Sequence, residues 1–242
     1  MSLRATGEER FNRGLLLQLS PALADVRTAI EARGLSYRGA FHPTADDLPG
    51  RDNVGTLVLA GFTGNNNWRY FKHSGEACDG KPDPLDRWSL RVIGALAAEL
   101  GATAMFPFTG PPWLPFLRWA RKAEPLHPSP LGMLIHPDWG LWHAWRGALA
   151  FRERLELPPQ DRRPSSCDTC SDKPCLATCP VSAFTPEKYH VAACVAHIDS
   201  AHGLDCMEEG CRARRACPIG AVHRYSPDQA GFHMRAFRAA QK

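Results

Sequence analysis

Eight thiols crowd one stretch of this chain. Of the nine cysteines in 242 residues, eight lie between Cys167 and Cys217. The first four read C-x2-C-x4-C-x3-C-P and the second four C-x11-C-x4-C-x5-C-P, so each quartet closes on Cys-Pro, at Cys179-Pro180 and Cys217-Pro218. Three chemistries use cysteine at this density: iron–sulfur clusters, zinc and disulfides. All-cysteine zinc sites usually show two C-x2-C pairs each, and only Cys167 and Cys170 make such a pair. Disulfides belong to oxidising compartments. The Cys-Pro ends and the x3 gap favour clusters.

A bacterial ferredoxin run has the form C-x2-C-x2-C-x3-C-P, and its fourth cysteine binds the other of two clusters. The first quartet departs from this by two extra residues in its second gap, and the second quartet is looser throughout. A 4Fe–4S cube presents four irons, each needing one thiolate. Three cysteines on a tight loop cap three corners, and the fourth corner takes its ligand from a distant segment. Cys167, Cys170, Cys175 and Cys217 are therefore expected to hold one cluster, and Cys179, Cys194, Cys206 and Cys211 the other. Exchange of the two Cys-Pro cysteines sets the clusters side by side, which suits electron transfer. Cys78 stands alone and reads as an ordinary thiol.

The rest of the chain must position this segment. A hydrophobic content of 44% supplies a core, and a net charge of +4 does not point to nucleic acid, which is not expected as a partner. The N-terminal residues carry no apolar signal core, and no run of 18 apolar residues offers a membrane span. A cytoplasmic protein is expected, where thiols stay reduced.

Ser20-Pro21 predicts a helix start, with Leu23, Val26 and Ile30 on one face and Gly34 as the stop. Leu35 to Phe41 reads as a strand, and Thr56 to Phe62 as a strand buried on both faces. The loop Thr63-Gly64-Asn65-Asn66-Asn67-Trp68 that follows is either a ligand loop or a plain turn. Asp83-Pro84 opens a second helix that carries Leu85, Val92, Ile93, Leu96 and Leu100 and stops at Gly101. Ala102 to Phe108 reads as a strand, and Leu114 to Lys122 as a short helix. Leu131–His136 and Leu141–Phe151 are predicted to pair as a β-hairpin about Pro137-Asp138-Trp139-Gly140. The charged, proline-containing Arg152–Pro164 links an α/β domain, residues 1–158, to a cluster domain, residues 159–242. Ser226-Pro227 starts a last helix that buries Ala230, Met234 and Phe237.

This order of elements, with the cysteine pattern and Cys194 alone between the two motifs, resembles the epoxyqueuosine reductases and, more distantly, the reductive dehalogenases. The resemblance implies an α+β fold: a nitroreductase-like α/β N-terminal domain followed by a ferredoxin-like two-cluster domain. A second resemblance rests on His136-Pro137-Asp138-Trp139-Gly140-Leu141-Trp142 with Arg146-Gly147. It is similar to a signature of the chaperones that strip the upper ligand from cobalamin. Both imply a corrinoid in the N-terminal domain, reduced through two 4Fe–4S clusters that are fed by a low-potential electron donor. Either the corrinoid itself or a small molecule would then be the substrate. The segment Phe106–Pro111 is matched to the one that carries an acidic proton donor in the epoxide reductases. It has no Asp or Glu and offers Thr109, too weak an acid for that role. No helical-repeat extension for tRNA follows the cysteines. Reduction of the modified tRNA base is therefore expected to be absent or very slow, and no catalytic residue is assigned.

A corrin is a broad apolar disc with polar amides on its rim. Ser129 and His136 are expected to reach that rim, Gly132 to let the backbone approach, and Met133 and Trp142 to supply the floor. His143 flanks the same turn, and Trp139 and Trp145 either lie on a macrocycle or fill the core. Arg212, Arg214 and Arg215, between two cluster cysteines, read as a solvated basic loop or as a dock for an acidic donor. Two other readings stand beside the corrinoid: a flavin in the N-terminal domain, and a ferredoxin-type carrier that docks a partner enzyme and has no catalytic site.

Overall fold

An eight-residue strand with no exposed position organises the N-terminal half. In the chain order of this computed structural model, which describes residues 21–51, 53–185 and 187–241, α1 (Leu23–Ala32) leads into β1 (Ser36–Phe41) and then into that strand, β2 (Thr56–Thr63). Next come α2 (Trp68–Lys72), α3 (Gly75–Cys78), α4 (Pro84–Glu99), β3 (Thr103–Met105), α5 (Phe116–Ala123), β4 (His127–Pro128), β5 (Leu134–Ile135) and β6 (His143–Phe151). The main sheet has the order β1-β2-β6-β3, and every neighbouring pair is antiparallel.

Side chains alternate across a strand, and β2 uses both of its faces. Val58, Ala60 and Phe62 join Val26 and Ile30 of α1 and Ile93 and Leu96 of α4 in one core layer. Leu57 and Leu59 join Phe116 and Trp119 of α5 in a second layer. The continuous apolar run thus comes from helices on both sides of an antiparallel sheet, giving a mixed helix-and-sheet domain. Gly61 sits where the β2–β6 register shifts by one residue, and a Cβ there would strike the Ala144 carbonyl. One ion pair is sealed between the sheet and α5. Arg38 is fully buried and donates to both carboxylate oxygens of Glu124 at 2.8 Å and to the Phe62 carbonyl at 2.9 Å.

Three sequence expectations need correction. The first helix begins at Leu23 with Ala22 as its N-cap; Ser20, the expected cap, lies outside the described residues. The strand expected over Ala102–Phe108 shrinks to Thr103–Met105 before the turns that lead to Gly110-Pro111-Pro112. The β-hairpin does not form. β5 pairs with β4 in a small sheet of its own, while β6 is fully engaged by β2 and β3. Of the expected pairing, the described residues keep the His136–Gly140 bridge, which closes the turn. The asparagine loop is a structural turn at its far end: Asn67 Oδ1 accepts from Thr63 N and Ser36 Oγ, and Nδ2 donates to the Gly34 carbonyl.

Residues 154–166 cross to the cysteine-rich region without regular structure, held near their start by buried Leu155, whose N–H donates to Thr56 Oγ1. The region consists of α6 (Pro174–Ala177), α7 (Val191–Ile198), α8 (Leu204–Glu209) and α9 (Arg212–Arg215), and the chain closes with α10 (Pro227–Ala239). Ser226 caps α10 by accepting from Gln229 N, with Pro227 at the first helical position. Among the described residues this region has one isolated bridge, Phe184–Tyr189, and no longer strand pairing. No described helix is long and apolar enough to cross a membrane.

Candidate metal centre

The short helices and turns of the cysteine-rich region carry eight cysteines, of which Cys206 and Cys217 are buried and the other six half-buried, and two sets of them are neighbours. In the first, Cys217 is an electrostatic neighbour of Cys167, Cys170 and Cys175. In the second, Cys211 neighbours Cys206 and Cys194, and Tyr189 lies near Cys194, Cys211 and Cys179. Cys217 thus lies near three cysteines of the first quartet, and Cys179 shares the neighbourhood of Tyr189 with Cys194 and Cys211. The groups adjoin: Cys167, Cys175, Cys179, Cys211 and Cys217 share one apolar cluster with Leu131, Ile135, Leu141 and Phe184.

The donor chemistry suits thiolate ligation. Burial pushes the Cys167, Cys175, Cys206, Cys211 and Cys217 thiols up, so ligation must release their protons. Backbone amides face the sulfurs. Ala183 N donates to Cys179 Sγ at 3.3 Å, and the backbone amides of Arg212, of Ala213 and Arg214, and of Ile219 favour the thiolates of Cys206, Cys211 and Cys217 respectively. Such hydrogen bonds to sulfur are among the protein's levers on cluster potential. Among the described residues no three His, Cys, Asp or Glu side chains stand at the spacing that one metal ion needs. A single Zn²⁺ would hold its thiolates at about 2.3 Å, whereas a cube spreads them over four irons. Cys78 is exposed at the end of α3, remote in sequence from both groups.

The turn after β5 is clamped to the second quartet. His136 and Gly140 exchange backbone hydrogen bonds at 2.9 and 2.8 Å, and His136 Nδ1 accepts from the N–H groups of Asp138 and Trp139 at 3.0 and 3.3 Å. The imidazole is thereby neutral with its proton on Nε2, and burial holds its pKa below the usual range. Gly140 and Gly220 both have positive φ, at 57° and 65°, and meet backbone to backbone. A Cβ on Gly140 would strike the Ile219 carbonyl, and one on Gly220 would strike Trp139. The Trp139 ring packs against His223, with centroids 4.4 Å apart and planes tilted by 55°.

The arginines between the last two cysteines are not a solvated loop. Arg212 and Arg215 bind Asp205 at 2.6 and 2.7 Å, and Arg215 also binds Glu209. The Arg214 guanidinium lies over the adjoining rings of Trp142 and Tyr225, at 4.5 and 4.6 Å, and donates to the Leu141 carbonyl at 2.5 Å. Their charge is spent inside the region rather than offered to a donor.

The five residues expected under a corrin are dispersed. Ser129 and Gly132 line an open cavity of about 400 Å³ between their turn and the cysteine loops. Met133 packs against the cysteine cluster. His136 is 5% exposed within its turn, and Trp142, 2% exposed, faces away toward Tyr225 and Ala230. His143 is buried, its Nε2 donating to the Leu134 carbonyl at 3.1 Å, and burial drives its pKa well down. Trp145 lies beneath the Arg38 guanidinium at 5.1 Å. Thr109 Oγ1 is turned back on the Phe106 carbonyl. Nothing in the cysteine spacing points to Tyr189, the phenol beside the second group. The two extra residues before Cys175 do signal Lys173, which the longer loop carries to the cavity edge.

No protein-family model matches the chain, and no curated protein matches it. Among solved structures, epoxyqueuosine reductase from Streptococcus thermophilus aligns with a TM-score of 0.50 at 12% identity, over 86% of this chain and 69% of that one. A second, epoxyqueuosine reductase with an epoxyqueuosine-modified tRNA-Tyr stem loop, aligns at 0.46 and 12% over the same shares. At such identity the likeness is one of fold. In fold this chain is similar to the epoxyqueuosine reductases, the family that its sequence resembles.

Proposed function

We propose that this chain is an iron–sulfur redox protein that holds two 4Fe–4S clusters, one on Cys167, Cys170, Cys175 and Cys217 and one on Cys179, Cys194, Cys206 and Cys211. The observation that supports the reading is the placement of Cys217, the Cys-Pro cysteine of the second run, near Cys167, Cys170 and Cys175 of the first. When bound, such clusters accept and release electrons singly. The chain's own part is to hold eight thiolates, direct amides at them, and keep water from Cys206 and Cys217, which are buried. The apolar side chains that separate the two groups keep them adjacent and dry.

A corrinoid acceptor, which both family resemblances imply, does not fit the five residues read from sequence. Trp142 is sealed under Arg214, and the turn that would form the floor is closed by Ile219-Gly220. No step is derived through it, and the electron-carrier reading is favoured over a corrinoid-dependent reductase. Oxygen-free purification and cluster loading test the proposal. About eight irons and eight acid-labile sulfides per chain are expected, with Cys78→Ser unchanged; stoichiometric zinc without sulfide sinks it. Titration of the loaded protein with cob(II)alamin should leave its free spectrum unaltered. A base-off spectrum would restore the corrinoid enzyme. The tRNA stem loop belongs to the second neighbour, and a gel shift with such a stem loop is expected to be negative here.

A further inference from the structure

We propose that the cavity beside the cysteine loops binds a small planar aromatic anion at a position adjoining both cluster sites. The proposal deepens the two-cluster reading and rests on it. The cavity, about 400 Å³ in volume, is bounded by Ser129 and Gly132 on one side and by Lys173, Phe184, Lys188 and Tyr189 on the other. That volume is in the range of small-molecule sites, roughly 300–1,000 Å³. Phe184 and Tyr189 both line the cavity and stack face to face at 4.6 Å with their planes 8° apart, an aromatic stack that a further ring can extend. The stack stands next to cysteines of both expected sites: Phe184 packs in the apolar cluster that holds Cys175 and Cys179, and Tyr189 lies near Cys194.

The charge on the rim selects an anion. Lys173 and Lys188 both line it, and among the described residues neither is in an ion pair; Glu187 offsets one of them. Lys173 has a second mark. It occupies the left-handed region at φ 39°, which is strained for a residue with a Cβ. It stands in the gap of four where a ferredoxin run has two, so the added residues bring a cation to the cavity in a conformation that a shorter loop would not need. Gly132, at φ 73° with open space where a Cβ would be, leaves the opposite wall clear.

Calorimetric titration of the cluster-loaded protein with anthraquinone-2-sulfonate tests this. One site is expected, with the cluster electron paramagnetic resonance lines shifted on binding. Exposed ion contacts are each worth about two- to fivefold, so reversing both charges in Lys173→Glu/Lys188→Glu should weaken binding about tenfold or more. Lys81→Glu, remote from the cavity, should bind as the wild type does. Equal binding by the double variant, equal binding of an uncharged anthraquinone, or unshifted cluster lines would overturn the proposal. Iron and sulfide are counted in the same samples. Full cluster content without binding removes this site alone, whereas missing iron removes the reading beneath it.

Discussion

Exchange of ligands between the two cysteine runs can be read from paired deletions. Cys217 neighbours Cys167, Cys170 and Cys175, although it lies 42 positions beyond Cys175. Cys179 is only four positions beyond Cys175, yet it shares the neighbourhood of Tyr189 with Cys194 and Cys211. Removing Cys170 and Cys217 together therefore takes two ligands from one cube and none from the other. Iron should fall from about eight to about four per chain, with one set of resonance lines intact. Removing Cys170 and Cys179 together takes one ligand from each cube. Both sets of lines should change, and neither cube should keep its full four-cysteine ligation. Uncrossed runs would give the opposite pattern, with Cys170/Cys179 sparing a cluster and Cys170/Cys217 damaging both. Oxygen-free iron and sulfide analysis with spectra of the reduced variants is the assay, and that inverted pattern would refute the exchange.

Glu124→Ala leaves Arg38 buried without its partner and should cost about 3–5 kcal/mol; for a chain of this size that lowers Tm by roughly 8–15 °C, and a change under 1 kcal/mol would count against a sealed pair. Gly140→Ala should detach the turn from Ile219-Gly220 and speed iron loss from the Cys217 site, read as bleaching of cluster absorbance in chelator, while the Cys194 site holds; equal bleaching at both sites would contradict this. His233 is pushed down to about 4, first by burial and then by Arg214 and Arg146. Its folded value lies below the unfolded one, about 6.5, so its contribution is full above pH 6.5 and is lost as pH falls toward 4, about 2–3 kcal/mol in all. His233→Gln should flatten that part of the denaturant-stability profile, and an unchanged slope would show that the imidazole is more exposed than it looks.

Much of the frame was legible because its signals are local. Pro84 and Pro227 fix the first turns of α4 and α10 by their own φ, and Gly101 takes the left-handed angle that ends α4. β2 announced itself by having no polar side to show. The N-terminal cap was not so constrained: Ala22 serves with no side-chain hydrogen bond. The hairpin failed for a different reason. Alternation along His143–Phe151 identifies a strand but not its partner, and β2 offers an all-buried edge eight residues long. Against that, the short, proline-bounded Leu131–His136 could not compete and took two residues of β4 instead.

The motif at His136–Trp142 has the same lesson at the level of function. Its residue types, a histidine, two tryptophans and a glycine, are those that could receive a flat ligand, and they are also those that close a tight contact. Which use they serve depends on what stands opposite. Here it is the loop after Cys217: Gly140 meets Ile219 and Gly220, Trp139 meets His223, and Trp142 meets Arg214. Every one of these partners lies between Ala213 and Arg224, on the cysteine run that supplies the crossed ligand. The turn thus braces the segment that must hold Cys217 beside three cysteines some forty residues earlier. A bracing role also accounts for the buried Nδ1 of His136, which holds two backbone amides rather than facing a ligand. The open surface lies elsewhere, at Ser129 and Gly132, where the same stretch of chain leaves the contact and lines the cavity instead.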